Sequence, residues 1–251
     1  MNENRFDGKG ELYTKFRPGY PDKFMDYLYS DVGLTSKSII ADIGSGTGKL
    51  TGQLLKSGSR VFAVEPNPDM RRIAESNFEG VNNFVSVNAS AENTTLEDKS
   101  VDFVTVAQAF HWFERQSFKR ECRRILKENG KVILVWNSRD ETSPLVKENY
   151  EVNKRFCPDF KGFSGGMNGF ENADAFKDFF EGDYEIRVFE NPLKFDEKGF
   201  IGRNLSSSYS LKPNERGYED YITELKRIFE KYSSDGVLIM PNLTRCFIGN
   251  V

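Results

Sequence analysis

The stretch ADIGSGTGKL, Ala41 to Leu50, sets three glycines, Gly44, Gly46 and Gly48, between a short apolar run and a helical pattern. Glycine allows a tight turn and lets a ligand approach the backbone, and the start of the following helix offers N–H groups without intrahelical partners. The stretch therefore predicts a site for something polar or anionic, and spacing separates the ligand classes. A nucleoside triphosphate loop needs four residues between its first glycine and a Gly-Lys-Ser/Thr ending. Here Gly48-Lys49 is followed by Leu50, and Ile43 stands where that first glycine belongs. A dinucleotide fingerprint needs G-x-G-x-x-G, whereas Lys49 occupies its third glycine position and Gly48 comes one residue early. What remains is Asp42-x-Gly44-x-Gly46-x-Gly48, followed at the end of the next apolar run by Glu65. An acid there can accept hydrogen bonds from both ribose hydroxyls of a nucleoside lying across the strand ends, which points to an adenosine derivative. Alone, the glycine pattern also fits a plain strand-to-helix turn; Glu65 raises it to a site.

Around this loop, from Ser38 to Ser138, apolar runs alternate with helical patterns, the signature of a parallel sheet built from βαβ units. SIIADIG, RVFAVE, NFVSVN, VDFVTVAQA and KVILVWN read as strands. Leu50, Leu54 and Leu55 share one side of a helix that Gly58 stops, as a glycine cap does. Asn67-Pro68 opens the next helix with a capping side chain and a proline in its first turn, its core face being Met70, Ile73 and Ala74. The basic run ERQSFKRECRRILKE places Phe118, Cys122, Ile125 and Leu126 at helical spacing with the cations elsewhere. That is the solvated face of an amphipathic helix rather than a nucleic-acid patch. Beyond Asn137 the regularity breaks into a long, phenylalanine-rich connection of the kind that forms lids and substrate caps. YEIRVFEN then reads as a strand, EDYITELKRIFEKY as a helix, and GVLIMPNLTRCFI as one last strand with a proline bulge.

At 251 residues, 38% hydrophobic and 29% charged, the composition is that of a soluble globular protein, and no apolar run approaches the ~18 residues of a membrane span. The polar start MNENRFDGKGELYTK predicts no secretion. Three scattered cysteines, Cys122, Cys157 and Cys246, are not spaced for zinc and suit a reducing cytoplasm. A net charge of −3 gives no general attraction to nucleic acid or anionic lipid.

Six ordered segments, ELYTKFRPGYP, ADIGSGTGKL, VFAVEPNPDM, NASAENTTLEDKSVDFV, AQAFHWF and LKENGKVIL, resemble the class I S-adenosylmethionine-dependent methyltransferases. The resemblance is strongest to the small-molecule branch that includes trans-aconitate methyltransferase-like enzymes. It implies an α/β fold: a doubly wound, seven-stranded, mostly parallel Rossmann-like sheet with an antiparallel last strand, an N-terminal helical arm and an inserted helical cap. One methyltransferase domain over 1–251 would divide into an arm or lid (1–37), a cofactor-binding core (38–138), a cap insertion (139–183) and a C-terminal completion of the sheet (184–251). S-adenosyl-L-methionine would be the cofactor. The resemblance further implies that Gly44, Ser45 and Gly46 lie against its methionine moiety, with Asp42 holding the amino group directly or through water. Glu65 would bind the ribose, Pro66 and Met70 would pack near the adenine, Ala91 and Glu92 would meet its edge, and Gln108 would face the sulfonium. In the arm, Tyr13, Phe16 and Arg17 are lid candidates, with Arg17 or Lys15 able to meet the cofactor carboxylate.

The single histidine, His111, follows the fourth predicted strand, where open α/β sheets bind ligands. That placement favours a pocket residue over a packed core residue. Methyl transfer from a sulfonium is an in-line displacement that chiefly needs alignment and exclusion of water. A hydroxyl acceptor would use His111 as general base, whereas a carboxylate acceptor would need only positive charge, from Arg139 or Arg203. Trp112, Phe113 and the cap phenylalanines Phe156, Phe160, Phe163, Phe170 and Phe176 would form an apolar wall, or equally the core of the cap itself. The expectation is a methyltransferase, monomeric or homodimeric, acting on a small molecule, with no nucleic-acid or membrane partner and no metal. Two other readings stay open. One is an NAD-dependent oxidoreductase, which Glu65 would serve equally well and to which Tyr150-x-x-x-Lys154 adds only a chance-level match. The other is a non-catalytic cofactor-binding protein.

Overall fold

A computed structural model of the chain describes residues 18–163, 176–207 and 209–251. The arm residues Tyr13, Lys15, Phe16 and Arg17, and Phe170 of the cap, lie outside the described residues.

The first half follows the predicted alternation. Helix α1 (Asp22–Ser30) leads into β1 (Ile39–Ile43), α2 (Lys49–Lys56), β2 (Arg60–Val64), α3 (Pro68–Asn77) and β3 (Phe84–Val87). The chain then crosses to β4 (Val101–Ala107), α4 (Arg115–Ile125) and β5 (Leu126–Arg139). Two later strands, β6 (Glu181–Glu190) and β10 (Asn242–Asn250), complete a seven-stranded sheet of order β3-β2-β1-β4-β5-β10-β6. Strands β1 to β5 are parallel, and β10 runs antiparallel to both neighbours. This is the Rossmann-like sheet the resemblance implies.

Side-chain alternation explains why both faces must be covered. Along β5, Val132, Leu134 and Trp136 enter one core while Ile133 and Val135 enter the other, and β10 repeats this with Phe247 against Cys246 and Ile248. Successive strand residues point to opposite faces. Helices α1 and α2 cover one face with Phe24, Leu28, Leu50 and Leu54; α4 covers the other with Phe118, Cys122 and Ile125. The cations of α4 point outward into ion pairs, Arg115 with Asp178 at 3.1 Å, Arg124 with Asp98 at 2.7 Å and Arg123 with Glu181, as expected for a solvated face.

The second half departs from the expectation in two places. GVLIMPNLTRCFI is two strands rather than one bulged strand, because Pro241 offers no N–H to a ladder. Its first part, β9 (Val237–Met240), joins β7 (Leu193–Phe195) and β8 (Ser233–Ser234) in a separate three-stranded sheet, and only its second part is β10. The cap is also assembled from two stretches of chain. Its core joins α5 (Pro144–Phe156) and Phe163 to α6 (Glu197–Leu205), α7 (Tyr218–Tyr232) and β9. Phe176, Phe179 and Phe180, inside the segment 139–183, instead pack in the main core against Phe110 and Trp136. Phe156, Phe160 and Phe163 build the interior of the cap. No described helix is long and apolar enough to cross a membrane.

Phe179 is fully buried, 4.7 Å from the Phe110 ring and stacked on Phe118. Phe179→Ala should therefore cost about 3–5 kcal/mol in urea unfolding. A loss below about 1 kcal/mol, the scale of an ordinary surface change, would show that this segment is not part of the main core.

Candidate functional site

The sheet order reverses between β1 and β4, so the loops after these strands part to form a crevice, the usual ligand position in open α/β sheets. The glycine loop follows β1 on one side of it. Gly44 has φ +66°, and a Cβ there would lie 2.6 Å from the Ala109 side chain, so the turn after β4 packs directly on this glycine. Gly46 has φ +58° with nothing within 4 Å of where a Cβ would be. Packing demands glycine at the first position; at the second, backbone conformation demands it and open space remains for a ligand.

The loop is held from behind. Gly44 and Ser45 donate their N–H groups to the Val64 carbonyl at 2.8 and 3.2 Å. Glu65 accepts the Gly46 N–H at one carboxylate oxygen and the Asn67 N–H at the other, each at 2.9 Å. Asn67 caps α3 as its sequence predicts, accepting from Asp69 and Met70 N–H. Beneath the loop, Asp42 is fully buried and accepts the Thr51 hydroxyl at 2.6 Å and the Thr105 hydroxyl at 2.9 Å. Each of its oxygens thus accepts one hydroxyl, which ties β1 to α2 and β4. Burial pushes its carboxyl up to about 6, against the pull of the two hydroxyls.

A cavity opens above the loop, lined by Pro18, Tyr20, Gly44, Ser45, Gly46 and Thr47 together with Lys49, Leu50, Ala107, Gln108, Asn137 and Arg203. Gln108, a non-glycine residue, is held at φ +60°, and its amide donates to the Asn137 carbonyl at 3.2 Å. Such backbone strain clusters at ligand sites. Ser45 Oγ and Thr47 Oγ1 are buried without a hydrogen-bond partner among the described residues. Lys49, half-buried in the first turn of α2, makes no ion pair among the described residues, and burial lowers its pKa. Orphaned hydroxyls, an open Gly46 and a desolvated cation at a helix start fit the polar end of an amino-acid-bearing nucleoside.

The other expected site residues fall as follows. Met70 and Ala91 are buried and Pro66 is half-buried beside the β2 and β3 ends. Glu92 accepts the Glu114 N–H at 3.0 Å, tying the loop after β3 to the start of α4. His111 lies on a short 3-10 turn, Phe110–Trp112, exposed, its ring 4.6 Å from that of Trp112. Desolvation by the surrounding protein pushes its pKa down to about 4, so the imidazole is neutral at pH 7. Phe113 is half-buried and touches the glycine-loop wall at Gly44. Arg139 is not among the cavity's lining residues; its guanidinium stacks on Phe163 at 3.8 Å. Tyr150 packs against Phe160 and Phe163 inside the cap and Lys154 is exposed on the same helix, so the dehydrogenase-like pair is built into the cap. Lys49 and Asn137 are lining residues that pattern reading passed over, the one as a failed motif position and the other as the end of a strand. A larger groove of about 430 Å³ lies at the opposite strand ends, but its Asp102 is taken up by the Ile39 N–H and by Lys127 at 2.9 Å.

Comparison with known proteins agrees with this geometry. Residues 41–134, which run from β1 into β5, match the family model described as methyltransferase domain. An uncharacterised methyltransferase-like protein of Schizosaccharomyces pombe is 36% identical over 152 residues, covering 60% of this chain and 58% of the relative. An uncharacterised methyltransferase of Mycobacterium tuberculosis is 37% identical over 140 residues, covering 56% and 55%. The chain thus spans somewhat over half the length of the curated relatives it matches. Among solved structures, a proposed type II methyltransferase from Anaeromyxobacter dehalogenans shares the fold at TM-score 0.72 and 23% identity, over 94% of this chain and 98% of the other. A proposed S-adenosyl-L-methionine-dependent methyltransferase from Methanococcus maripaludis gives TM-score 0.57 and 26% identity, over 74% and 87%. Domain and neighbours imply S-adenosylmethionine as cofactor.

Asp42 supplies a test of this framework. Its folded-state pKa lies above the ordinary 3.8, so its contribution to stability is fully present below pH 3.8 and is lost as pH rises through about 6. Asp42→Asn keeps the shape and an acceptor oxygen while removing the charge. Relative to wild type, D42N should gain up to about 3 kcal/mol between pH 4 and 7, read from urea midpoints at each pH. Parallel profiles for the two proteins would remove the buried carboxylate from the account.

Proposed function

We propose that the chain transfers a methyl group from S-adenosylmethionine to an oxygen, carboxylate or hydroxyl, of a small-molecule acceptor. The observation that carries this is the open Gly46 turn tied to Glu65 at the point where the sheet order reverses. When bound, the cofactor supplies an electrophilic methyl on a positively charged sulfur. Gly44, Ser45, Gly46 and Lys49 would receive its methionine end, Glu65 its ribose hydroxyls, and Pro66, Met70, Ala91 and Glu92 the region of its adenine. Gln108 would face the sulfonium, and Tyr13 and Arg17 are proposed to close over it. Trp112, Phe113 and Arg139 are proposed around the acceptor. The chain's task would be to align the acceptor oxygen with that methyl and to exclude water. The three buried free thiols suit a cytoplasmic protein, monomeric or homodimeric.

Glu65→Ala removes two N–H acceptors and the ribose acid together. It should weaken S-adenosylhomocysteine binding by about 100-fold in calorimetric titration, since each hydrogen bond to a charged group contributes about 1.5–3 kcal/mol. Unchanged affinity would sink the reading.

His111 divides the two acceptor classes. A hydroxyl must lose its proton, and the neutral imidazole of His111 is the group proposed to accept it; a carboxylate has no proton to lose. For a hydroxyl acceptor, His111→Ala should lower kcat by about 10²–10⁴-fold. A kcat within about threefold of wild type would remove His111 as base.

A further inference from the structure

The two edges of the main sheet are built differently. One edge, β3, has four residues, Phe84–Val87, and a very short strand is itself a protected edge. The other, β6, has ten residues, Glu181–Glu190, without the proline or lysine that ordinarily blunts a long edge. No described strand pairs with its outer side.

The register fixes what that outer side presents. Asn191 donates its N–H to the Asn242 carbonyl at 2.8 Å, and Phe189, Arg187 and Glu185 stand opposite Thr244, Cys246 and Ile248. Hydrogen-bonded and non-bonded pairs alternate along an antiparallel ladder. These odd-numbered residues therefore bond to β10, while Ile186, Val188 and Glu190 turn their N–H and C=O groups outward. The Ile186 carbonyl accordingly accepts from the adjacent Arg187 guanidinium at 3.2 Å, as a carbonyl outside the ladder can.

The side chains add a second layer. Tyr184 and Ile186 pack against the main core, and Val188, on the same face of the strand, is 51% exposed. On the opposite face Arg187 pairs with Glu185 and lies over the Tyr27 ring at 5.8 Å. The strand thus offers an apolar row on one face and an acid and a base on the other.

Such a strand can pair with a second copy of itself about a two-fold axis, and charge selects the register. Centring the axis on Tyr184 brings Glu185 opposite Asp183; centring it on Glu185 or on Arg187 brings that residue opposite itself. Like charges directly opposite are destabilising. Centring on Val188 sets Arg187 opposite Phe189 and Glu185 opposite Asn191, so neither charge meets its opposite. Centring on Ile186 sets Glu185 opposite the partner's Arg187 in the closer, non-hydrogen-bonded positions. The same register lays the partner's Tyr184 against Val188, and Ile186 exchanges both backbone bonds with the partner's Ile186. One arrangement satisfies the outward backbone, covers the exposed valine and links the Glu185–Arg187 pairs of both copies.

We propose that β6 is a dimerisation edge, at which two copies of the chain join antiparallel about Ile186 and merge their main sheets into one. The contact is isologous, so it closes on itself and does not propagate into a fibre.

The experiment is sedimentation velocity from about 1 to 200 μM chain, a range that registers micromolar association. Wild-type protein should be dimeric at the upper end. Glu185→Arg and Arg187→Glu each make the facing charges alike and should weaken the dimer by about tenfold or more. An equimolar mixture of E185R and R187E restores opposite charges across the axis, although each chain still lacks its internal pair. The mixture should therefore form heterodimers, read as energy transfer between a donor dye on one variant and an acceptor dye on the other. Val188→Pro deletes an outward N–H and leaves the bonds to β10 in place, so it should abolish the dimer with an unchanged far-ultraviolet circular dichroism spectrum. If V188P fails to fold, the charge variants carry the test alone. A wild-type monomer throughout the range would overturn the proposal, as would a dimer that persists undiminished in E185R and R187E or in folded V188P. A mixture of the two charge variants that does not associate would overturn the register and the proposal with it.

Discussion

One carboxylate couples the loops that define the crevice. Glu65 accepts N–H groups from Gly46 and from Asn67, and its own N–H donates to the Val87 carbonyl of β3. The turn after β1, the cap of α3 and the end of β3 are therefore fixed relative to a single side chain, which is 8% exposed. A carboxylate has about four acceptor sites, and two of them serve these backbone N–H groups. Gly46 is central because its N–H is the donor and the missing side chain leaves the space.

The frame of the fold is legible in the sequence because it depends on periodicity. Val132 to Trp136 alternate between two cores, and period-two alternation can be read without knowing what covers either face. The start of α3 is equally local, since Asn67 and Pro68 carry their own geometry. What could not be read depends on partners distant in sequence. Glu121 sits within the most basic run of the chain, yet turns inward to accept the N–H and hydroxyl of Thr94 at 2.7 and 2.6 Å and is covered by Arg124. Polarity predicted an outward residue; a partner 27 positions away made it a buried one. The site divides in the same way. The glycine loop and Glu65 are contiguous signals, whereas Asn137 and Arg203 reach the cavity from the far ends of β5 and the cap.

Pro241 marks the limit most sharply. GVLIMPNLTRCFI has the hydrophobicity of one strand, and proline within a strand can mean an edge or a bulge. Here it is a passage between two bodies. Met240 is buried in the cap core, Asn242 starts the pairing with β5, and the Pro241 carbonyl accepts the Asp140 N–H at 3.1 Å where the chain first leaves that strand. The cap is thus joined to the sheet at adjacent ends of β5 and β10, a short junction that sets α6 beside the cavity. A contiguous insertion was the simplest reading, but closing its hydrophobic core requires α7 and β9 from beyond β6.

The two arginines offered by the sequence for acceptor recognition show how placement decides the role of a charge. Arg139 leaves the sheet at the cap junction and lays its guanidinium on Phe163 at 3.8 Å, where the aromatic face stabilises the cation and the cation covers the edge of the cap core. Its charge is directed at the interior of the cap. Arg203 has the same side chain on a helix whose rotation is set by Asn204, Asn153 and Tyr221, and it lines the cavity beside Gln108 and Asn137. That difference separates an arginine packed on the cap core from one that lines the cavity.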